Sequence, residues 1–133
     1  MDWEKAKPLA SPIRFEVFVR EQRVPPEIEL DAHDAVSLHA ISFIENKAVA
    51  TGRLLPDGHI GRMAVLKAWR GRGIGAQMLA RLVEAAQQRG DRQVALSAQV
   101  HALGFYRSHG FRPVGEVYQE AGIDHQAMVR DLP

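Results

Sequence analysis

Along the chain the apolar positions switch between two spacings. Ile13, Val17 and Phe18 share one helical face behind Ser11-Pro12, a favourable cap and first turn, and Pro25-Pro26 ends that segment. This places the first helix about ten residues in, with Trp3-Glu4-Lys5 as a short preceding strand. Residues 38–45 and 48–55 then read as a hairpin turned at Asn46-Lys47, and Pro56-Asp57-Gly58 leads into a third strand over 60–66. Three strands so close in sequence make an antiparallel meander the economical arrangement.

The longest helix follows. Ile74, Met78, Leu82 and Ala86 recur every four residues, flanked by Leu79 and Val83, and Gly90 closes the pattern. Residues 93–99 read as a buried strand, 102–109 as a short helix, and 112–118 and 126–130 as two final strands. The strand–helix–strand passage from 60 to 99 needs a crossover, and so a parallel pair. The fold class expected is α/β (α+β), a mixed and mostly antiparallel sheet with flanking helices.

Composition narrows the classes of function. At 133 residues the chain matches one domain, 1–133, with no repeat or linker to divide it. Its apolar fraction of 46% and charged fraction of 25% are those of ordinary globular proteins, so disorder is not expected. A net charge of +1 gives no global pull toward nucleic acid or membrane. The absence of cysteine excludes disulfides, thiolate metal sites and thiol nucleophiles, and the six histidines show no metal-ligand spacing. With neither a spanning apolar run nor a signal-peptide core, a cytoplasmic location is expected.

Between the third strand and the long helix lies Trp69-Arg70-Gly71-Arg72-Gly73-Ile74-Gly75. Glycine lets a ligand approach the main chain closely, and the amides of a first helical turn have no intrahelical acceptors. With the positive end of the helix dipole behind them, such amides bind phosphate groups. From Lys67 to Arg92 the local charge agrees: Lys67, Arg70, Arg72, Arg81, Arg89 and Arg92 outnumber Glu84 and Asp91 by four. A solvated loop with outward arginines explains a lone Gly-x-Gly equally well. Two familiar phosphate loops do not fit. No Gly-Lys-Ser/Thr tripeptide occurs, and the glycines are not spaced as Gly-x-Gly-x-x-Gly.

What remains, Arg70-x-x-Gly73-x-Gly75, resembles the Arg/Gln-x-x-Gly-x-Gly/Ala pyrophosphate loop of GNAT N-acetyltransferases. Downstream, Gln99-x-x-Ala102-x-x-Phe105-Tyr106-x-x-x-Gly110-Phe111 resembles a second motif of that family, at the right distance. More narrowly, Val17-Phe18-Val19-x-Glu21-Gln22-x-Val24-Pro25, Gly52-Arg53, Ser97-Ala98-Gln99 and Ala121-Gly122-Ile123-x-His125 are similar to the YjcF/ElaA-like branch. The resemblance covers nearly the whole chain.

The resemblance implies a single GNAT domain with a central splayed parallel strand pair, using acetyl-CoA as acyl donor for an amine acceptor and no metal. It implies that the main chain of Met63, Ala64 and Val65 pairs with pantetheine. Arg70 and Arg72 would then flank the pyrophosphate, held by the amides of Gly71, Gly73, Ile74, Gly75 and Ala76. Gln99 stands where the family often has Asn, beside pantetheine; Phe105 and Tyr106 complete the donor side. Acetyl transfer needs a proton for the departing thiolate, which the Tyr106 hydroxyl, with a reference pKa of ~10, suits as general acid. Glu21, on the first helix, is either a base for the amine or a tie between helix and sheet; His39, Glu116, Tyr118, Glu120 and His125 are other candidate bases. The acidic stretch Glu27, Glu29, Asp31, Asp34 contains no Lys or Arg, and reads as a solvated loop or a lure for a cationic amine.

A catalytically silent acyl-CoA-binding module would keep the glycine loop without needing Tyr106. A nucleic-acid-binding module would need stacking aromatics among the basic residues, where only Trp69 is present. The acceptor is expected to be a small molecule rather than a protein, and a homodimer is compatible with the family.

Overall fold

The computed structural model describes residues 1–29 and 31–133, without the side chains of Glu27 and Ile28. Helix α1 (Trp3–Arg14) opens the chain and widens into π-helical turns over Phe15–Glu21. Short helix α2 (Pro26–Glu29) and a 3₁₀ turn (Ala32–Val36) lead into β1 (Leu38–Ile44), β2 (Lys47–Leu54) and β3 (Ile60–Val65). Then come α3 (Ile74–Arg89), β4 (Gln93–Gln99), α4 (Leu103–Ser108), β5 (Arg112–Glu120) and β6 (Ile123–Asp131).

The strands form two antiparallel three-stranded sheets, ordered β1-β2-β3 and β4-β6-β5. The β1–β2 turn sits at Glu45-Asn46, one residue earlier than the pattern indicates; both adopt positive φ, 49° and 70°, as a tight hairpin turn requires. Parallel strands β3 and β4 join the sheets by one bridge, His59 to Ala95, with the Ala95 amide donating to the Gly58 carbonyl at 3.1 Å. Gly58 has φ +92°, and a Cβ there would lie 2.7 Å from the Gln93 carbonyl oxygen, so glycine permits this closest approach. Beyond the bridge the strands part, which is the splayed pair that the resemblance implies.

The main core lies under α3. Met78, Leu79, Leu82, Val83 and Ala86 pack against Val49, Leu54, Val94, Leu96, Phe111 and Met128. On the other side, Ile13 and Val17 cluster with Ala64 from β3. Among the described residues no helix is long and apolar enough to cross a membrane.

The N-terminus corrects the sequence reading. Trp3-Glu4-Lys5 is the first turn of α1 and not a strand, and the cap is Asp2, whose Oδ1 accepts from the Lys5 amide at 3.1 Å, not Ser11. Pro8 and Pro12 lie inside the helix, although each removes an amide donor. Burial of the Ala6, Ala10, Ile13 and Val17 stripe outweighs that local cost. Ser11 becomes an interior residue whose hydroxyl is buried without a partner.

The acidic stretch is also corrected: it is not simply solvated, because its partners come from distant positions. Arg14, almost wholly buried, bonds to Glu29 and, from Nη1, to Asp34 at 2.8 Å. Arg53 Nη1 reaches Asp31 at 2.7 Å and Asp34 at 2.8 Å, and Arg62 Nη2 reaches Asp31 at 3.1 Å. The network pins the segment before β1 onto α1, β2 and β3. Burial alone would raise the Asp31 carboxyl, but hydrogen bonding and charge from Arg53, then Arg62, hold it at about 2. Asp34 is held below its ordinary value in the same way, burial being outweighed by Arg14 and Arg53.

A carboxyl with a depressed folded pKa stabilises the fold fully above its unfolded value of ~3.9 and loses that contribution as pH falls through its folded value. The melting temperature is therefore expected to hold near neutral pH and to fall as pH drops from about 4 to about 2. An identical acid limb in folded Arg53→Gln would show that these ion pairs are not its source. Arg14→Met strands buried carboxylates and should cost about 3–5 kcal/mol in urea unfolding.

Candidate active site

The parting of β3 and β4 opens a cleft of about 350 Å³. Its walls come from the strand residues just past the bridge: Ile60, Gly61, Arg62 and Met63 on one side, Leu96, Ser97 and Gln99 on the other. Phe18, Gln22 and Val24 close it from the N-terminal segment, Tyr106 from α4, and Glu120, Ile123 and His125 from the final hairpin. On β3 the pairing with β2 slips between Thr51 and Arg53, leaving Arg62 at φ +49°. Such a bulge bends the strand and turns its free edge, here toward the cleft.

Several residues singled out in the sequence converge at one end. Gly73 caps α3 in the left-handed conformation, φ +77°, with no acidic residue in the first turn. The first intrahelical amide bond is Gln77 to Gly73 at 3.1 Å, so the amides of Ile74, Gly75 and Ala76 point out of the helix. A Cβ on Gly71 or Gly73 would meet nothing within 4 Å, while one on Gly75 would sit 3.9 Å from Val65 and 4.0 Å from Phe105. The glycine loop, the end of β3 and α4 thus meet at an open, donor-rich surface that fits a pyrophosphate. Arg72 stacks over Trp69, 4.9 Å from the ring centroid.

Arg70 and Glu21 are occupied with each other. The guanidinium makes two 2.9 Å contacts with the Glu21 carboxylate, and its Nε donates to the Val65 carbonyl at 2.9 Å. Glu21 therefore ties the first helical segment to the glycine loop, and it is not among the residues lining the cleft.

Met63, Gln99 and Tyr106 do line it. Gln99 is held from both sides, donating to Gln22 Oε1 at 3.0 Å and contacting His101 Nε2 at 2.6 Å. The Tyr106 ring meets Phe105 and Phe111 edge-on, with centroids 5.1 and 6.0 Å apart. Burial pushes the Tyr106 hydroxyl above its ordinary pKa, so it stays protonated, and among the described residues it has no hydrogen-bond partner.

The other candidate bases separate. His39 is buried between Trp3 and the Asp34 carbonyl, to which its Nε2 donates at 2.9 Å, away from the cleft. Burial, chiefly, pulls its pKa down. Glu116 is exposed on β5, outside the lining. Tyr118, Glu120 and His125 cluster with Ser97. Ser97, Arg62 and His101 went unassigned in the sequence reading; Ser97 lay within a quoted motif, whereas the strand bulge that presents Arg62 leaves no local signal.

The family model for the acetyltransferase (GNAT) domain matches residues 7–132, so the chain belongs to the GNAT acetyltransferase family. The uncharacterized N-acetyltransferase YjcF of Bacillus subtilis is 38% identical over 123 residues, covering 90% of this chain and 88% of that protein. Among solved structures, an acyl-CoA N-acyltransferase from Pseudomonas aeruginosa aligns with a TM-score of 0.84 at 37% identity, over 92% of this chain and 87% of that one. Escherichia coli ElaA aligns with a TM-score of 0.83 at 35% identity, over 92% and 88%.

Gly73→Ala and Gly90→Ala form a matched pair. Both glycines have positive φ and open space at Cβ, but only Gly73 faces the proposed pyrophosphate surface. Each should lose about 1–2 kcal/mol of stability to backbone strain. Calorimetry should show acetyl-CoA affinity reduced about tenfold or more in Gly73→Ala alone, a difference of ~1.4 kcal/mol or more. Equal affinities in the two variants would remove the loop from the binding site.

Proposed function

We propose that the enzyme transfers the acetyl group of acetyl-CoA to the amine of a small molecule, by direct attack within a ternary complex. The observation carrying this reading is that α4 packs against the glycine loop with its outward amides, a Cβ on Gly75 lying 4.0 Å from the Phe105 ring, while the next residue, Tyr106, lines the cleft. The amides of residues 71–76, with Arg72, hold the pyrophosphate. Glu21 braces Arg70, and through it the loop, in place of taking a proton. Pantetheine runs along the free edge of Met63, Ala64 and Val65 with Phe105 and Gln99 beside it, bringing the thioester to Tyr106.

The amine nitrogen attacks the carbonyl carbon, forming the C–N bond and a tetrahedral oxyanion within reach of β3 main-chain donors. The C–S bond then breaks with its electron pair on sulfur, and Tyr106 protonates the thiolate. Burial favours this role, because a hydroxyl pushed above ~10 is uncharged when the thiolate departs.

Tyr106→Phe keeps the ring contacts and should leave acetyl-CoA affinity close to wild type. With amine substrate, kcat should fall about 10²-fold or more, and the alkaline limb of the rate profile should vanish. Wild-type protein that binds acetyl-CoA yet acetylates no amine in a broad panel would instead mark a silent acyl-CoA-binding module.

A further inference from the structure

On the second sheet's side of the cleft stands a group of polar side chains of which the donor half of the reaction uses only Gln99. In β4 and β6, Gln99 pairs with His125 and Ser97 with Ala127; in β5, Tyr118 pairs with His125 and Glu120 with Ile123. Cross-strand partners share a face, so Ser97, Gln99, Tyr118, Glu120 and His125 all lie on one face. Leu96, Ala98 and Met128 take the other, inside the core.

The hydrogen bonds settle what His125 offers. Its Nδ1 lies 2.7 Å from the Ile123 carbonyl, which can only accept, so Nδ1 carries the proton and the neutral ring keeps its lone pair on Nε2. Nε2 lies 3.7 Å from Glu120 Oε2, too far for a hydrogen bond. Glu120 Oε2 is fixed by the Ser97 hydroxyl at 3.1 Å, which is bonded in turn to Tyr118. Two acceptors at that spacing, not engaged with each other, can both be reached by one nitrogen at about 2.9 Å. A primary ammonium has the N–H groups to satisfy both.

We propose that His125 Nε2 is the general base of the reaction and that, with Glu120, it selects a primary amine bound as its ammonium ion. The proposal rests on the acetyltransferase reading of the cleft. One ammonium N–H bonds to Glu120, whose charge both draws the cation in and stabilises the imidazolium formed next. Another N–H gives its proton to Nε2. The neutral amine then attacks the thioester carbon; the thiolate takes the Tyr106 proton, and the amide nitrogen returns its surplus proton to the tyrosinate through water. His125 releases its proton to solvent, so one proton leaves for each amide formed.

The groups nearest His125 are Tyr118 and Glu120 from β5, with rings of Tyr118 and His125 stacked at 6.2 Å, and Ser97 and Gln99 from β4; His101, bonded to Gln99, and Tyr106 line the same cleft. Glu29 and Arg62 stand on the opposite wall, and their charges are met by Arg14 and by Asp31 respectively.

His125→Asn, which can still donate toward the Ile123 carbonyl, is the test, with His125→Gln as the second variant if Asn does not fold. Acetyl-CoA affinity by calorimetry should stay close to wild type. The kcat/KM for a primary amine should fall about 10²-fold or more, and the acid limb of its pH profile should be replaced by a rate that climbs steadily with pH as free amine accumulates. Glu120→Gln should raise KM for the amine more than it lowers kcat. Full activity with an unchanged acid limb in the His125 variants overturns the proposal. Nitrogen NMR of the wild-type protein decides it without turnover. The expected result is a proton on Nδ1 and an Nε2 resonance that moves when butylammonium is added. A proton on Nε2, or an Nε2 signal that ignores the amine, overturns it even if acetyl transfer is observed. Wild-type protein that acetylates no amine counts against the acetyltransferase reading, while the NMR result still stands for or against this pair.

Discussion

Two parallel strands joined at one end only give this protein its cleft. At the closed end, Ala95 donates to the Gly58 carbonyl and the absence of a Cβ at Gly58 lets the chains touch. Past that point each strand pairs along one edge only, β3 with β2 and β4 with β6, and the two facing edges are left open. The buried stripe of α3 packs against both sheets. A gap between parallel strands would cost unsatisfied amides and carbonyls unless a ligand or water met them. That cost is what makes the gap suited to an extended substrate with amide groups of its own.

The two ends of the cleft differ in chemistry because different elements reach them. The glycine loop and α4 bring outward amides, arginines and a protonated phenol to one end. The far sheet brings a histidine, a carboxylate and a serine to the other. In the proposed reaction an anionic donor and a cationic acceptor approach from opposite sides and meet at the thioester. Glu21 and Arg70 connect the first helical segment to the glycine loop through their ion pair.

Buried charge plays a structural part separate from the chemistry. Arg14, Arg53 and Arg62 come from α1, β2 and β3, yet they converge on Glu29, Asp31 and Asp34. The carboxylates lie close together in sequence, and the arginines do not. The segment before β1 is thereby drawn over the first sheet, and through Glu29, beside Arg62 of β3, it contributes to the cleft wall.

The amino-acid sequence alone determined the regular core of this protein and the loop on which the proposed donor site is built. The four-residue repeat of α3, the strand over 93–99 and the Arg70-to-Gly75 loop are each written within a short window, because helix periodicity, strand burial and the needs of a phosphate-binding turn are local. The start of the N-terminal helix was not legible, since two prolines and a well-placed serine signal a break that only burial of Ala6, Ala10 and Ile13 overrides. Nor was the fate of the acidic stretch, whose compensating arginines stand as much as 31 residues away. Tertiary structure alone decided how the candidate bases divide, sending Glu21 to Arg70 and His39 to the Asp34 carbonyl while bringing His125 and Glu120 together in the cleft. Proton acceptors of similar sequence character are distinguished by what they touch, and contact is set by strand register and packing rather than by neighbours in the chain.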